Sequence, residues 1–376
     1  MIQIKEIRPV KSELKRFVTF PIDTLYHDSP YYVPSLVSDE MRTLQPGENP
    51  AFDYCEAAYF MAYRDGRPVG RIAGIINRLV NERSGKQEGR FGFVDFIDDA
   101  EVADALFQTV AQWARGKGMT CLTGPLGFTD MDKEGMLVEG FDQVGTQATI
   151  YNHEYYPRHM ERMGFVKDVD WVEFRVKVPP EVPEKMHRVA AIVRQRVGVD
   201  TIKYTNRRKR VRDYGEAIFK LINEAYDQLF GYSPLSDKQI EHYIKMYVPF
   251  LPLDDLSLVV KPDGELVGVG ITLPSLSQGL IKSRGRLFPM GWWHLLKAFK
   301  GHNPVVDLLL IAVKPEYHSK GVNALIFDDL IPCFNRFGYQ WADTGHELED
   351  NERVQQQWQY FDYRQNKRRR AFTKEL

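Results

Sequence analysis

Short apolar runs separated by turn residues mark this chain, and the pattern occurs twice. Tyr59 to Tyr63 is followed by Asp65-Gly66-Arg67-Pro68-Val69-Gly70 and then Gly74-Ile75. Leu256 to Val260 is followed by Asp263-Gly264-Glu265-Leu266-Val267-Gly268 and then Gly270-Ile271. An Asp-Gly pair between two apolar runs predicts a β-hairpin. Further on, Gly118-Met119 with Thr123-Gly124 parallels Gly338-Tyr339 with Thr344-Gly345. The openings correspond too: Ile2 to Ile7 and Asp200 to Tyr204 read as strands, followed by helical runs Ser12 to Phe20 and Val211 to Tyr226. In the second run Tyr214, Ile218, Leu221, Ile222 and Ala225 keep a 3.6-residue period. Pro179, Pro180 and Pro183 break both helix and strand and place the join, giving expected domains 1–178 and 179–376. The second half is longer between the paired markers, and Leu276 to Asn303 is the expected insertion.

Leu308 to Val313 is a continuous apolar run, as in a strand covered on both faces. Pro315 ends it, and Ala324 to Phe327 has helical composition. A strand, a short glycine-bearing loop and a helix start make an anion site, because the first backbone N–H groups of a helix lack partners and its dipole favours negative charge. Gly321, without a Cβ, lets the backbone approach a ligand.

Composition narrows the function classes. The chain has 376 residues, enough for roughly two or three domains, and 43% apolar content suffices for sizeable cores. A net charge of −1 argues against bulk electrostatic binding to nucleic acid. Cys55, Cys121 and Cys333 are far apart and odd in number, so neither a disulfide framework nor zinc spacing is visible and a reducing cytoplasm is expected. Lys5, Glu6 and Arg8 interrupt the N-terminus, so no signal peptide is expected. No apolar run approaches the ~20 residues that span a bilayer. His153 and His159 share no helical face, and no metal site is expected.

The stretch Asp307 to Asn323, DLLLIAVKPEYHSKGVN, resembles the acetyl-coenzyme A loop of the GNAT acyltransferases. His318, Gly321 and Asn323 fall on that loop's Gln/Arg, Gly and Gly/Ala positions, with Val313, Pro315 and Lys320 agreeing around them. Only the central glycine is a strict match. The order of elements in each half matches the GNAT fold, so the resemblance implies an α/β protein of two tandem GNAT-like domains, each a mixed sheet with helices on both faces. The first half adds a local resemblance to a group of bacterial GNAT-like proteins through Gly124-Pro125-Leu126-Gly127-Phe128, Glu134 to Phe141, Tyr151-Asn152 to Tyr156 and Met163-Gly164-Phe165.

The resemblance implies acetyl-CoA or another acyl-CoA as co-substrate and a small-molecule or peptide amine as acceptor. Pantetheine would lie between Leu308–Val313 and Gln340–Thr344, held by Ile311, Ala312 and Val313, with His318, Ser319, Lys320, Gly321, Val322 and Asn323 around the pyrophosphate. Asn351 matches the asparagine on the last helix, but Trp358 stands where a general-acid tyrosine is usual, leaving Tyr360 and Tyr363 nearby. Acyl transfer to an amine also needs a base. Asp343 and Glu347, at the end of a predicted strand, could serve if burial raised their pKa, and His346 is a further candidate. In the first half, Asp98, Asp99 and Glu101 follow the strand Phe91 to Ile97 where the phosphate loop should be, so that half is expected not to bind the coenzyme in the usual way.

Three roles are open to the insertion, with its run Leu287 to Lys300: packing between halves, lining an apolar pocket, or lying on a membrane surface. Arg207-Arg208-Lys209-Arg210 and Lys367-Arg368-Arg369-Arg370 read as solvated faces. Beside the transferase stand two alternatives: a binding or scaffold protein that kept the fold, and an aminoacyl or lipid-chain transferase of related tandem fold.

Overall fold

The computed structural model describes residues 1–248, 251–300 and 303–376. Gly301 and His302 of the expected insertion lie outside the described residues. The chain forms two compact units: Met1–Val172 with Leu276–Lys297 and Asn366–Leu376, and Glu173–Ser275 with Ala298–Gln365.

In the first half the elements run β1 (Ile2–Ile7), α1 (Lys11–Phe20), α2 (Val37–Thr43), β2 (Cys55–Arg64), β3 (Arg67–Asn77), α3 (Arg78–Ser84), β4 (Glu88–Phe96), α4 (Ala100–Gly116), β5 (Cys121–Gly124), β6 (Met136–Glu139), α5 (Tyr155–Arg162) and β7 (Val166–Lys177). The second continues α6 (Glu184–Arg196), β8 (Asp200–Ile202), α7 (Arg207–Tyr226), α8 (Asp237–Met246), β9 (Leu256–Val260), β10 (Leu266–Pro274), α9 (Ser277–Ser283), α10 (Gly291–Lys300), β11 (Val305–Val313), α11 (Val322–Phe337), β12 (Trp341–Thr344), β13 (Glu347–Leu348), α12 (Glu352–Gln355) and β14 (Tyr363–Glu375).

Both Asp-Gly hairpins are present, as β2–β3 and β9–β10. The first unit's strands lie in the order β1-β2-β3-β4-β5-β14, with β6 also on β14. The second unit's lie in the order β7-β12-β11-β10-β9-β8. β4–β5 in the first unit and β11–β12 in the second are parallel pairs. Beyond that pair each sheet is closed by an antiparallel strand from the other half of the chain. Phe372–Glu375 pairs with β5, and Arg175–Lys177 pairs with β12.

This exchange corrects the expectation that Lys367 to Arg370 is a solvated face. The run lies in β14, where side chains alternate between faces. Lys367 and Arg369 are buried, while Arg368 and Arg370 reach the buried carboxylate of Asp170 at 3.3 and 2.7 Å. At the other basic run Arg210 is also buried, donating to the carbonyls of Val248, Leu251 and Pro252.

The repeated glycines follow from how the helices pack. A Cβ at Gly268 would sit 2.9 Å from Val322, and one at Gly270 only 2.4 Å from Ile326, so α11 lies directly on β10. In the first unit Gly70 and Gly74 do the same beneath Leu106 and Trp113 of α4. That helix buries Val102, Leu106, Phe107 and Val110 in a core with Phe60, Ile72, Phe91 and Phe372.

Candidate functional site

The feature that could hold a ligand in the second unit is a divergence of strands. β11 and β12 are in parallel register only from Val305–Trp341 to Leu308–Thr344. The Gly345 amide closes the paired stretch on Leu308 O at 2.9 Å. From Leu309 on, β11 keeps β10 on one side but among the described residues has no strand partner on the other, and Leu309, Leu310 and Ile311 are half-buried rather than enclosed.

Glu347 stands just past the end of β12. Trp358 Nε1 donates to both its carboxylate oxygens, at 3.1 and 3.2 Å. Burial pushes this carboxyl up from the ordinary 4.5 to about 8, and the Trp358 hydrogen bond opposes part of the rise. Tyr226, the last residue of α7, donates its hydroxyl to Ile311 O at 3.1 Å, on the strand that diverges. Burial first, and the Glu347 charge second, raise the Tyr226 pKa, so its proton is retained. Glu347, Trp358, Tyr226 and the free stretch of β11 thus form one group.

Asp343 has a different setting. It is buried and held by a two-pronged ion pair with Arg175, at 2.7 and 2.6 Å. The hydrogen bonds that Arg175 donates to Asp343, then the charges of Asp343 and Asp307, hold the Arg175 pKa above its usual value against the effect of burial. Arg175 belongs to the incoming strand β7, so the pair ties that strand to β12. Tyr360 is half-buried, with Lys185 Nζ 5.0 Å above its ring. Asn351 caps α12, its side chain accepting from the Val354 amide.

At the other end of β11, Ala312 and Val313 are buried and His318 Nε2 meets Val313 O at 3.0 Å. The loop then turns through Ser319, at φ 63°, and Gly321, at φ 81°. His318 and Ser319 are exposed; so is Lys320, whose ammonium lies over the Tyr317 ring. The Lys320 amide bonds to Tyr317 O and the Ala324 amide to Gly321 O. The Gly321, Val322 and Asn323 amides have no backbone acceptor outside their own helix among the described residues. Val322 is buried, and Asn323 Nδ2 contacts Gln357 Oε1 at 3.4 Å. Gly321 has a second reason to be glycine: a Cβ there would lie 2.8 Å from Val189 of α6. The glycine therefore serves the turn and its packing, whatever it does for a ligand.

The first unit closes its corresponding opening with its own groups. β4 and β5 pair only from Glu88 to Arg90, after which the Leu126 amide takes Phe91 O at 2.9 Å. The Phe96 amide donates to Tyr156 Oη, which donates to Asp95 and accepts from Tyr26. Asp99 caps α4 through the Val102 amide and pairs with Arg64 at 2.8 Å, putting a carboxylate where an anion would sit.

Tyr226 and the Trp358–Glu347 contact were not foreseen from sequence. The signal for Tyr226 was present, since it continues the Ile218–Ile222 period by four residues. Among the described residues no group of His, Cys, Asp and Glu could hold a metal, and no helix is long and apolar enough to cross a membrane.

No family model matches the sequence. Among curated proteins, the chain is 28% identical over 325 residues to Protein YghO of Escherichia coli, covering 84% of this chain and 80% of that one. It is also 28% identical over 304 residues to the bacterial ceramide synthase of Caulobacter vibrioides, covering 78% and 76%. Among solved structures it is similar to a tandem GNAT protein from the clavulanic acid biosynthesis pathway, with TM-score 0.59 and 13% identity, covering 100% of this chain and 98% of that one. A GCN5-related N-acetyltransferase from Sphaerobacter thermophilus gives TM-score 0.51 at 12% identity, with 100% and 95% covered. These structures share the fold, and the mixed strand order within each unit agrees with it.

Proposed function

We propose that this tandem GNAT-fold chain is an N-acyltransferase that moves an acyl group from an acyl-coenzyme A to an amine, with Glu347 as the base. The observation that carries the reading is the divergence of β11 from β12 after Leu308, with a half-buried carboxyl of raised pKa beside it. The thioester would lie along the free stretch Leu309 to Val313, and the diphosphate at the Gly321, Val322 and Asn323 amides, where the α11 dipole favours negative charge. The acceptor nitrogen attacks the thioester carbonyl carbon, Glu347 takes a proton from that nitrogen, and the carbon–sulfur bond breaks. Tyr226, which keeps its proton, is the candidate to hydrogen-bond the leaving thiolate, which then takes its proton from water. A base with a pKa near the working pH combines a useful ionised fraction with a strong pull on the proton. Asp343 would act by position, through Arg175, rather than by proton transfer.

The expected acyl group from the loop pattern is acetyl. The likeness to a ceramide synthase favours a longer acyl chain and the amine of a long-chain amino alcohol, since a ceramide is such an amine acylated on nitrogen. The test is thiol release from acyl-CoAs of graded length, each offered a small amine or a long-chain amino alcohol. Release that needs both a thioester and an amine supports the reading. Absence of release and of binding at millimolar ligand, in a folded protein, would leave the scaffold alternative.

A further inference from the structure

The Leu276–Lys297 segment of the first unit combines two properties that rarely occur together. It is anchored by backbone and polar side-chain hydrogen bonds, yet it leaves its largest apolar side chains outside. Ser277 Oγ donates to Gly145 O, the Val37 amide donates to Gly285 O, and Arg284 reaches Ile22 O. Gly285, at φ 65°, lies so close to Ser35 that a Cβ would be 2.2 Å from its carbonyl oxygen. From this base Phe288 projects 79% exposed, Trp292 47% and Trp293 49%, with Met290 and Leu296 exposed beside them. The two indoles meet edge to face, and Trp292 Nε1 is satisfied by Pro289 O at 3.1 Å. Contiguous exposed aromatics on a fixed element are unusual for a surface facing only water.

The charge on this element has one sign. Every charged residue from Leu276 to Asn303 is basic: Lys282, Arg284, Arg286, Lys297 and Lys300. Beside the aromatic patch is a cleft of about 420 Å³ lined by Lys282, Arg284, Arg286 and His294, with Asp23 as its one acid and Phe288 to Met290 at the apolar side. Asp23 pairs with Arg284 and Arg286 at 3.1 and 2.8 Å, while Lys282 and His294 have no ion-pair partner among the described residues. Three cations against one carboxylate leave the cleft net positive.

We propose that this face docks on an anionic lipid surface, with a headgroup phosphate in the Lys282–Arg286–His294 cleft and Phe288, Trp292 and Trp293 in the interfacial layer. Indoles favour that layer because one part of the ring is apolar and the other polar, and basic residues beside them meet the negative lipid surface. The inference does not rest on the acyltransferase reading, since it uses neither Glu347 nor the β11–β12 opening.

The test is flotation of the full chain with phosphatidylcholine vesicles, alone or mixed with phosphatidylglycerol. Binding is expected only to the mixed vesicles, weakening as salt rises. A Trp292→Ser/Trp293→Ser double variant should bind at least about tenfold more weakly, and Lys282→Gln about fivefold more weakly, with thermal unfolding unchanged. Glycerol phosphate in solution should not compete, which separates a lipid surface from a site for free phosphate. Equal binding to both vesicles, unaltered binding by the double variant, or displacement by glycerol phosphate would overturn the proposal. So would a dimer in sedimentation that the double variant abolishes, because the patch would then be covered by a second copy.

Discussion

Replacing Glu347 by glutamine keeps an acceptor for Trp358 Nε1 and removes the carboxylate that would take the proton of the acceptor amine. The carboxyl titrates near 4.5 in an ordinary setting and at about 8 in the folded chain. Between those values the native state holds a proton that the unfolded state has released, so stability falls as pH rises, and the full penalty is present above pH 8. At about 1.4 kcal/mol for each unit of pKa, the upper bound is about 5 kcal/mol. The side chain is only half-buried by its solvent contact, so about 2 kcal/mol is the working figure. Urea unfolding of wild type and Glu347→Gln at pH 4.5 and pH 9 measures it. The variant should gain on wild type between those pH values by about 2 kcal/mol. Its acyl-transfer rate should fall by about 10²–10⁴, while wild-type kcat/KM rises with pH toward a plateau above 8. A stability difference independent of pH would refute the burial argument, and full activity in the variant would refute the role as base.

Other substitutions probe the rest of the site. Trp358→Phe removes the one indole N–H that lowers the Glu347 pKa, so the rising limb of the pH–rate profile should move to higher pH. Tyr226→Phe should lower kcat by about tenfold or more and cost about 1 kcal/mol through the lost bond to Ile311 O; unchanged kcat would remove Tyr226 from the chemistry. Gly321→Ala places a Cβ at positive φ against Val189, and chemical denaturation should show a loss of about 1–3 kcal/mol. Arg175→Met strands the buried Asp343 carboxylate and should cost about 3 kcal/mol, with much of the loss recovered in the Arg175→Met/Asp343→Leu double variant.

Much of this architecture was legible in the sequence because it is local. Asp65-Gly66 and Asp263-Gly264 specify their hairpins through turn chemistry, and Leu308 to Val313 specifies its strand through continuous apolarity. The strand exchange was not legible, because which strand closes a sheet is decided by pairing far away in the chain. The buried Lys367 and Arg369 hid it further, since charge is ordinarily a sign of exposure. Helix α6 was missed for a related reason. It starts directly after Pro183, and Met186, Ala190 and Val193 make a narrow apolar stripe on an otherwise charged run. That helix matters because its Val189 packs on the Gly321 turn. At the site, sequence placed Glu347 among several acids. Its pKa follows from burial beneath a tryptophan that family patterning would assign to another role.

The account depends most on the stretch where β11 leaves β12 being the acyl-coenzyme A site. Amide hydrogen exchange, with and without saturating acyl-CoA, addresses it directly. The account predicts slowed exchange at Leu309 to Val313 and at Gly321 to Asn323, with little change in β4 or at the start of α4. Protection confined to the first unit, or none at saturating ligand, would contradict it.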